Sequence, residues 1–379
     1  MTRLLLLILL SLFLAGCATR PSGVTFHAEE NPQSLDDWGL FDIKDGRITP
    51  RAGLVTYELA TPLFSDYAQK WRAVFIPKGM AANYDPEKTF DFPVGTVIAK
   101  TFYYTTPAGV APGQSSRVMK ATPASYQSGV AGLDLSQSRL METRLMVRRA
   151  GGWEALPYVW NAEQTEATLQ RTGAAIPLEF IDAGKSTRFT YAVPNVNQCA
   201  GCHATDRTKA LMPIGLQARH LNREFPGEGG EINQLKRLAM IGYLKGAPDP
   251  AAAARNARYD DSTADVGARA RAYLDINCAH CHSATGPARV SGLWLDSGTK
   301  DLRKLGACKP PIAAGKGTGG HEFGLVPGHP DQSILAYRLA TNDPGEMMPE
   351  TGRSLTHAEG VALINDWIAG LEGGCGAAG

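Results

Sequence analysis

The sequence lacks an excess of either charge. Its 379 residues include 38 Lys and Arg against 37 Asp and Glu, which gives a formal net charge of +1. Proteins that bind nucleic acids usually carry a clear basic excess or a basic run. The charge balance therefore gives no case for a nucleic-acid ligand, nor for a strongly charged partner.

A long apolar run is also missing near the start of the chain. A membrane-spanning helix needs about 20 apolar residues, whereas the run that follows Thr2 and Arg3 covers only residues 4–14. A positive start, a short apolar core and small residues before a cleavage point are typical of a secretory signal. We therefore predict a signal peptide over residues 1–17.

The end of this segment is more specific. The order Leu14-Ala15-Gly16-Cys17 resembles the lipobox of bacterial lipoproteins, which implies that Cys17 is acylated. Acyl chains there would hold the protein at a membrane surface on the periplasmic side of the cell envelope. Ala18, at a position where Asp commonly signals inner-membrane retention, favours the outer membrane. The alternatives are an ordinary secretory leader with an incidental cysteine and a retained membrane anchor.

Cysteine occurs only seven times, and four of the seven lie in two C-x-x-C-H motifs. The motif residues are Cys199, Cys202 and His203 in the first copy, and Cys278, Cys281 and His282 in the second. In this motif two thiols on one helical turn add across the vinyl groups of haem, and the adjacent imidazole becomes the fifth ligand of the iron. The sequence therefore predicts two covalently attached c-type haems.

A zinc site is the main alternative to the two haems, because four thiolates can enclose one Zn²⁺. It leaves the histidine after each cysteine pair unexplained. It also requires an interval of 79 positions between Cys199 and Cys278, which is longer than zinc sites usually show. A thioredoxin-like redox pair is a weaker alternative.

With Cys17 assigned to lipid, Cys308 and Cys375 are left over. In an oxidising compartment such a pair is predicted to form a disulfide. Free thiols are the alternative, since no spacing argument proves the bridge.

Each iron usually takes a sixth ligand in electron transfer, and methionine is the ligand that raises the reduction potential. Met348, in a Met-Pro pair before the last predicted helix, is the predicted ligand of the second haem, with Met347 as its competitor. For the first haem Met212 is a candidate, although it follows the motif by only nine residues. Met240 and His220 are its rivals, and an iron with an open or weakly ligated sixth position is a further alternative.

The length favours two or three domains, because single hydrophobic cores seldom grow past about 250 residues. Residues 24–194 consist of short runs of β-branched and aromatic residues broken by proline and glycine, which predicts an antiparallel, sandwich-like β domain. The runs include Leu54–Leu59, Arg72–Ile76, Thr96–Tyr104, Leu140–Arg148 and Arg188–Val193.

The rest of the chain is predicted to be mainly α-helical. Residues 195–246 form the first c-type haem region, 247–265 a polar linker, and 266–379 a second cytochrome c domain. The second domain is expected to begin with a helix and to end with another, whose start is marked by the capping box Thr356–Glu359. The predicted fold class is thus a multidomain α+β protein whose haem domains are mainly helical.

Several further stretches carry a resemblance to a known family. They are Thr61–Ala68, Phe92–Thr96, Lys100–Tyr104, Glu142–Leu145, Pro157–Asn161 and the first haem motif with Pro213–Gly215. Together they resemble an uncharacterised family of di-haem c-type cytochrome lipoproteins of Gram-negative bacteria, and the C-terminal unit resembles class I cytochrome c. The resemblance implies haem binding and electron transfer beside an exported partner protein, and it supports Met348 as a ligand.

We therefore expect an electron carrier that exchanges electrons with a partner redox protein, with no residue in a catalytic role. A di-haem peroxidase-like enzyme with one open iron is the alternative, although the large β domain is not the build of the usual bacterial di-haem peroxidases. A redox subunit of a larger assembly shares every sequence feature with the electron carrier.

Overall fold

The structure of the protein, a computed structural model, describes residues 23–122, 125–127, 129–205, 209–227 and 230–376. The predicted signal peptide at 1–17 and the predicted lipidation site Cys17 lie outside these residues. Within the described part of the chain, no helix is long and apolar enough to cross a membrane.

Most strands of the described chain precede the first cysteine motif, which lies in helix α1. The strands are β1 (Phe41–Lys44), β2 (Arg47–Pro50), β3 (Leu54–Tyr57), β4 (Gln69–Phe75), β5 (Ala82–Asn83), β6 (Val97–Thr105), β7 (Arg117–Met119), β8 (Leu133–Asp134), β9 (Ser138–Arg149), β10 (Gly152–Trp160), β11 (Ala167–Leu169), β12 (Ala174–Asp182), β13 (Lys185–Val193), β14 (Glu224–Gly227), β15 (Gly230–Asn233) and β16 (Leu244–Lys245). The α-helices are α1 (Val196–His203), α2 (Ala218–Leu221), α3 (Gln234–Met240), α4 (Val266–Cys278), α5 (Ile334–Ala340) and α6 (Ala358–Ala369).

One sheet of nine strands dominates the fold. Its strands follow the order β11-β10-β9-β6-β7-β12-β13, and β4 with its neighbour β3 pairs with β6. The pairings are antiparallel except that of β7 with β12, which is parallel. Parallel neighbours need a crossover connection, and here the chain between them includes the long hairpin of β9 and β10.

The two faces of this sheet are buried against different parts of the chain. Successive side chains of a strand point to opposite faces. In β6, Val97 and Ala99 pack into a core with the N-terminal segment, whereas Ile98 packs into a core with Leu216 and Leu235. The sheet is therefore a wall between the N-terminal segment and the segment that follows the first cysteine motif.

Helices α4 and α6 pack against each other near the end of the chain. Ala270 and Leu274 of α4 share a core with Ile364 and Trp367 of α6. Burying a large apolar side chain contributes about 1.5–3 kcal/mol to the stability of the fold. This core fixes the position of Cys278, which is the last residue of α4.

The predicted capping box of the last helix is wrong. Helix α6 begins at Ala358, and the residue before it, His357, makes no side-chain capping bond. The Thr356 hydroxyl instead lies 2.8 Å from the side-chain oxygen of Asn342. The Thr356 hydroxyl therefore binds Asn342, a residue distant in sequence, and not the start of α6 as the local pattern predicted.

The predicted fold class is also wrong. Strand accounts for 28% of the chain and helix for 20%, so the regions predicted to bind haem are not mainly α-helical domains. The main β element is one large curled mixed sheet rather than an antiparallel sandwich. A C-x-x-C-H motif demands one helical turn and says nothing of the chain around it. Between α4 and α5 the described chain contains short 3-10 helices, turns and isolated β-bridges.

The carboxylate of Asp66 ties the β part of the molecule to the C-terminal segment. Its Oδ1 accepts hydrogen bonds from the backbone N–H groups of Ser354 and Leu355, at 2.6 and 2.7 Å. Asp66 is only 4% exposed. Burial raises the pKa of this carboxyl, and the two N–H donors oppose part of that rise. The buried Asp66 side chain therefore caps the turn at Ser354 and Leu355 by accepting from both of their backbone N–H groups.

A disulfide joins Cys308 to Cys375. It fastens the segment beyond α6 to the loops that follow the second cysteine motif. These loops carry little regular structure, so a covalent bridge limits the conformations open to them in the unfolded chain.

We expect Asp66→Ala to destabilise the protein by about 2–4 kcal/mol, because it leaves two buried N–H groups without an acceptor. Asp85→Ala is the matched control. Asp85 also accepts from two backbone N–H groups, of Glu87 and Lys88 at 2.8 and 2.7 Å, but at a solvent-accessible turn where water can replace it. Urea unfolding of both variants measures the difference. Equal, small losses of unfolding free energy in the two variants would contradict the role of Asp66 as a buried acceptor.

Two candidate haem sites that meet at one seam

The first cysteine motif lies on α1, directly after the last strand of the large sheet. The Asn195 side chain accepts from the Gln198 backbone N–H at 2.8 Å, and the Gln198 side chain accepts from the Asn195 N–H at 2.9 Å. This reciprocal pair fixes the start of the helix. Cys199 and Cys202 follow on one turn, and His203 is the last helical residue.

The ring of His203 is held through one nitrogen only. Its Nδ1 lies 2.7 Å from the backbone carbonyl oxygen of Met212. A carbonyl can only accept, so Nδ1 carries the proton and Nε2 keeps its lone pair. Burial first, and then the nearby Lys100, lower the pKa of His203 to about 4, which keeps the ring neutral. Proteins commonly orient metal-binding imidazoles in this way.

The first motif faces a cavity of about 1470 Å³, including its open mouth, which we call the first cavity. Cys199, Cys202 and His203 line it on one side, and a face of the large sheet forms the opposite wall. The enclosed part of this space is about 320 Å³, which lies at the lower end of the roughly 300–1,000 Å³ of typical ligand pockets. The first motif therefore lies beside a cavity of ligand-pocket size that opens to solvent.

The second motif is arranged like the first. The His282 Nδ1 lies 3.1 Å from the Ser291 hydroxyl oxygen, and that hydroxyl donates to the Ala288 carbonyl at 2.7 Å. The hydroxyl proton is thus engaged, so its oxygen accepts from Nδ1–H and leaves Nε2 with its lone pair. Burial, and then His280, lower the pKa of His282 to about 4.

Met348 joins the second motif in a second cavity of about 1580 Å³, again including its open mouth. Cys278, Cys281 and His282 line the same cavity. The competitor Met347 is buried, at 6% exposure, and is not among the residues that line this cavity. The structure therefore brings Met348, rather than Met347, to the motif.

Arg353 holds the backbone around Met348. Its guanidinium donates to the carbonyl oxygens of Met348, Arg338 and Thr341 at 3.1, 3.1 and 2.8 Å. The Met348 N–H donates to the Arg338 carbonyl at 2.9 Å. These bonds fix the loop to the end of α5, so the thioether is carried by a supported segment.

None of the three candidates for the sixth ligand of the first haem lines the first cavity. Met212 supplies its carbonyl to the back of the His203 ring, and its side chain is 39% exposed. Met240 is 70% exposed on α3. His220 is buried with its Nε2 3.3 Å from the Asp275 carboxylate. Each of these side chains is engaged or directed elsewhere.

The two cavities meet at a shared wall, which we call the seam. The Cys281 thiol donates to the Gly201 carbonyl at 3.4 Å. The neighbouring Cys281 thiol is the main cause that lowers the pKa of the Cys202 thiol. Cys202, Glu350 and Thr351 line both cavities. One thiol of each motif therefore lies against the other motif.

The sheet wall of the first cavity carries a row of three cations that sequence reasoning missed. The strand register places Arg72 opposite Lys100, and Lys100 opposite Arg144. Tyr57 and Pro157 continue the row at its two ends, and all five residues line the first cavity. Burial, then Arg144 and Arg72, lower the pKa of Lys100 to about 7. The sequence signal that could have revealed this row is Lys100, the one charged residue of the otherwise uncharged strand β6.

The residues present fit two covalently attached haems. Each cavity offers two thiols at the required spacing and a neutral imidazole with a free Nε2, beside walls that are largely apolar. The zinc alternative needs all four thiols around one point. Among the described residues, no group of three or more His, Cys, Asp or Glu side chains is placed to hold a metal ion.

We expect protein produced without covalent haem to form a Cys202–Cys281 cross-link under mild oxidation. The Cys281 thiol contacts the first motif at the Gly201 carbonyl, and Cys202 lines both cavities at the seam. The neighbouring Cys281 thiol lowers the pKa of Cys202, which favours the reactive thiolate. Mass spectrometry of unreduced peptides detects the link. Cys199→Ser keeps it and Cys281→Ser abolishes it. Cross-links confined to Cys199–Cys202 and Cys278–Cys281 would contradict the geometry of the seam.

In comparisons with protein-family models, with curated proteins and with solved structures, the chain matches none of them.

Proposed function

We propose that this chain is an exported, membrane-anchored di-haem c-type cytochrome that transfers electrons to or from a partner redox protein. The observation that carries the proposal is the seam, where a thiol of each haem-attachment motif lies against the other motif. Covalently attached haem supplies one-electron redox chemistry at each site. The chain supplies position, axial ligands and burial.

The seam supports transfer between the two sites rather than two independent carriers. Attachment through Cys202 and Cys281 would bring one edge of each cofactor to the same wall. The Gly201 carbonyl, Glu350 and Thr351 complete that wall. Electron transfer weakens steeply with distance, so two edges at one wall favour exchange between the sites.

The second site has the features of a protein-ligated carrier. Its cavity offers His282 and Met348, and methionine ligation raises the reduction potential. The hydrogen bond from Nδ1–H of His282 to Ser291 fixes the ring orientation and increases the basicity of Nε2. Arg353 keeps the Met348 loop in place.

The cellular location of the protein is part of the proposal. The predicted signal peptide at 1–17 and lipid on Cys17 would hold it on the periplasmic side of the envelope, at the outer membrane. A c-type cytochrome at that location can exchange electrons with another exported redox protein. A place as a redox subunit in a larger assembly is compatible with the same features.

One observation favours a second candidate, a di-haem peroxidase-like oxidoreductase. The three side chains expected as sixth ligands of the first haem do not line the first cavity. An iron without a strong sixth ligand is free to bind a small molecule such as peroxide. The second site would then deliver electrons across the seam.

We expect Met348→Ala to lower the reduction potential of the second haem and to remove the weak red absorption band that marks methionine-ligated ferric haem. The reason is the loss of the thioether ligand. Met347→Ala is the matched control and should leave band and potential unchanged, because Met347 packs outside the cavity. Spectroelectrochemistry and EPR of the haem-loaded protein measure both properties.

Loss of the band in Met347→Ala, or its retention in Met348→Ala, would contradict the ligand assignment. A chain that carries no covalent haem after export would contradict the proposed function itself. A high-spin ferric signal in the wild type that shifts on adding cyanide or peroxide would favour the peroxidase-like enzyme.

A further inference from the structure

We propose that Arg72, Lys100 and Arg144, together the cation row, form an oxyanion site on the sheet wall of the first cavity. The chemistry it takes is a carboxylate or a similar small oxyanion. Two sources can supply it: the propionate groups of a haem attached at the first motif, or a free oxyanion that enters the cavity. The first source rests on the proposed function and the second does not.

The register of the sheet places the three like charges of the cation row directly beside one another. Residues directly opposite on adjacent strands have Cβ atoms about 4.5–5.5 Å apart, and like charges there destabilise a sheet. Of the two neighbouring rows on the same face, one is apolar, with Ile98 of β6 opposite Met146 of β9. In the other, Phe102 of β6 lies between Lys70 and Glu142. The sheet thus concentrates three cations in one line.

The carboxylates on this wall do not balance the row. Glu142 accepts two bonds from Arg144, at 2.8 and 2.6 Å, and a third from the Tyr191 hydroxyl at 2.7 Å. Arg72 makes one long contact with the Lys70 carbonyl, at 3.4 Å. Glu58 lies near Arg72 but pairs with Arg223 at 3.0 Å, and Glu350 lines the same cavity at the seam. Among the described residues, Glu142 is thus the one carboxylate that makes a hydrogen bond or ion pair with the three cations.

Lys100 is the centre of this imbalance. Among the described residues its ammonium has no hydrogen-bond or ion-pair partner, and it lies 5.1 Å from the Phe102 ring centroid. Buried cations are normally paired, because desolvation of an unpaired charge is costly. The structure thus leaves Lys100 and Arg72 free to bind a negative group on the cavity side.

The cavity side is where such a group would arrive. The whole cation row lines the first cavity together with Cys199 and His203. Arginine presents a planar pair of donors that matches a carboxylate, and lysine adds a point charge. A group attached at the motif and extending over the sheet would therefore meet these donors.

The test uses haem-loaded protein and the variants Arg72→Gln and Lys100→Gln, with Arg148→Gln as control. Arg148 lies four residues beyond Arg144 on β9 and does not line the cavity. Haem content, both reduction potentials and the resonance Raman bending mode of the propionates are measured. Sulfate is then titrated against chloride at constant ionic strength, with Tm and potential as readouts.

If propionates occupy the row, Arg72→Gln and Lys100→Gln shift the propionate mode and lower the potential of the first haem, while sulfate has no specific effect. If a free oxyanion is the occupant, sulfate raises the Tm of the wild type saturably. Lys100→Gln then weakens the apparent sulfate affinity by about tenfold or more, as expected for losing a bond to a charged group. Arg148→Gln behaves as wild type in both cases.

The direction of the Tm change in Lys100→Gln can contradict the proposal. Removing one of three adjacent like charges raises the Tm if the row holds no anion, and lowers it if the row holds one. Haem-loaded Lys100→Gln with a raised Tm, unchanged potential and no altered response to sulfate would overturn the oxyanion site.

A chain without covalent haem would contradict the proposed function only. Its cation row would still bind sulfate, and Lys100→Gln would weaken that binding by about tenfold or more.

Discussion

The seam between the two cysteine motifs is the constraint on which the rest of the structure depends. A thiol just beyond α4 donates to a backbone carbonyl of α1 inside the first motif, although the two motifs are far apart in sequence. Both helices must therefore be anchored. The capping box of Asn195 and Gln198 anchors α1 to the last strand of the sheet, and the core shared with α6 anchors α4.

The large sheet gives the two sites different surroundings. The first motif faces the sheet and its cation row, whereas the second faces loops that a disulfide and Arg353 hold in place. Positive charge near a redox centre favours its reduced form, and so does methionine ligation. In the proposed di-haem cytochrome, the cation row and the methionine ligand would therefore be two separate means of setting the reduction potentials of the sites.

The haem chemistry stays a prediction, whereas the predicted fold class is wrong. The two motifs could be recognised from the sequence because their spacing reflects covalent chemistry, and Met348 was predicted from its Met-Pro pair. The curled mixed sheet depends on pairing across long loops, as between β7 and β12, which periodicity does not reveal. Lys100 shows the same limit. Its charge is visible in the apolar run of β6, but its neighbours Arg72 and Arg144 are known only from register.

The measurement that tests the account most directly is EPR of the fully oxidised, haem-loaded protein beside variants that lack one attachment pair, such as Cys278→Ser with Cys281→Ser. If the two sites meet at the seam, spin–spin interaction broadens the ferric signals and speeds their relaxation in the wild type relative to each single-haem variant. A wild-type spectrum that equals the sum of the two single-haem spectra would contradict the account.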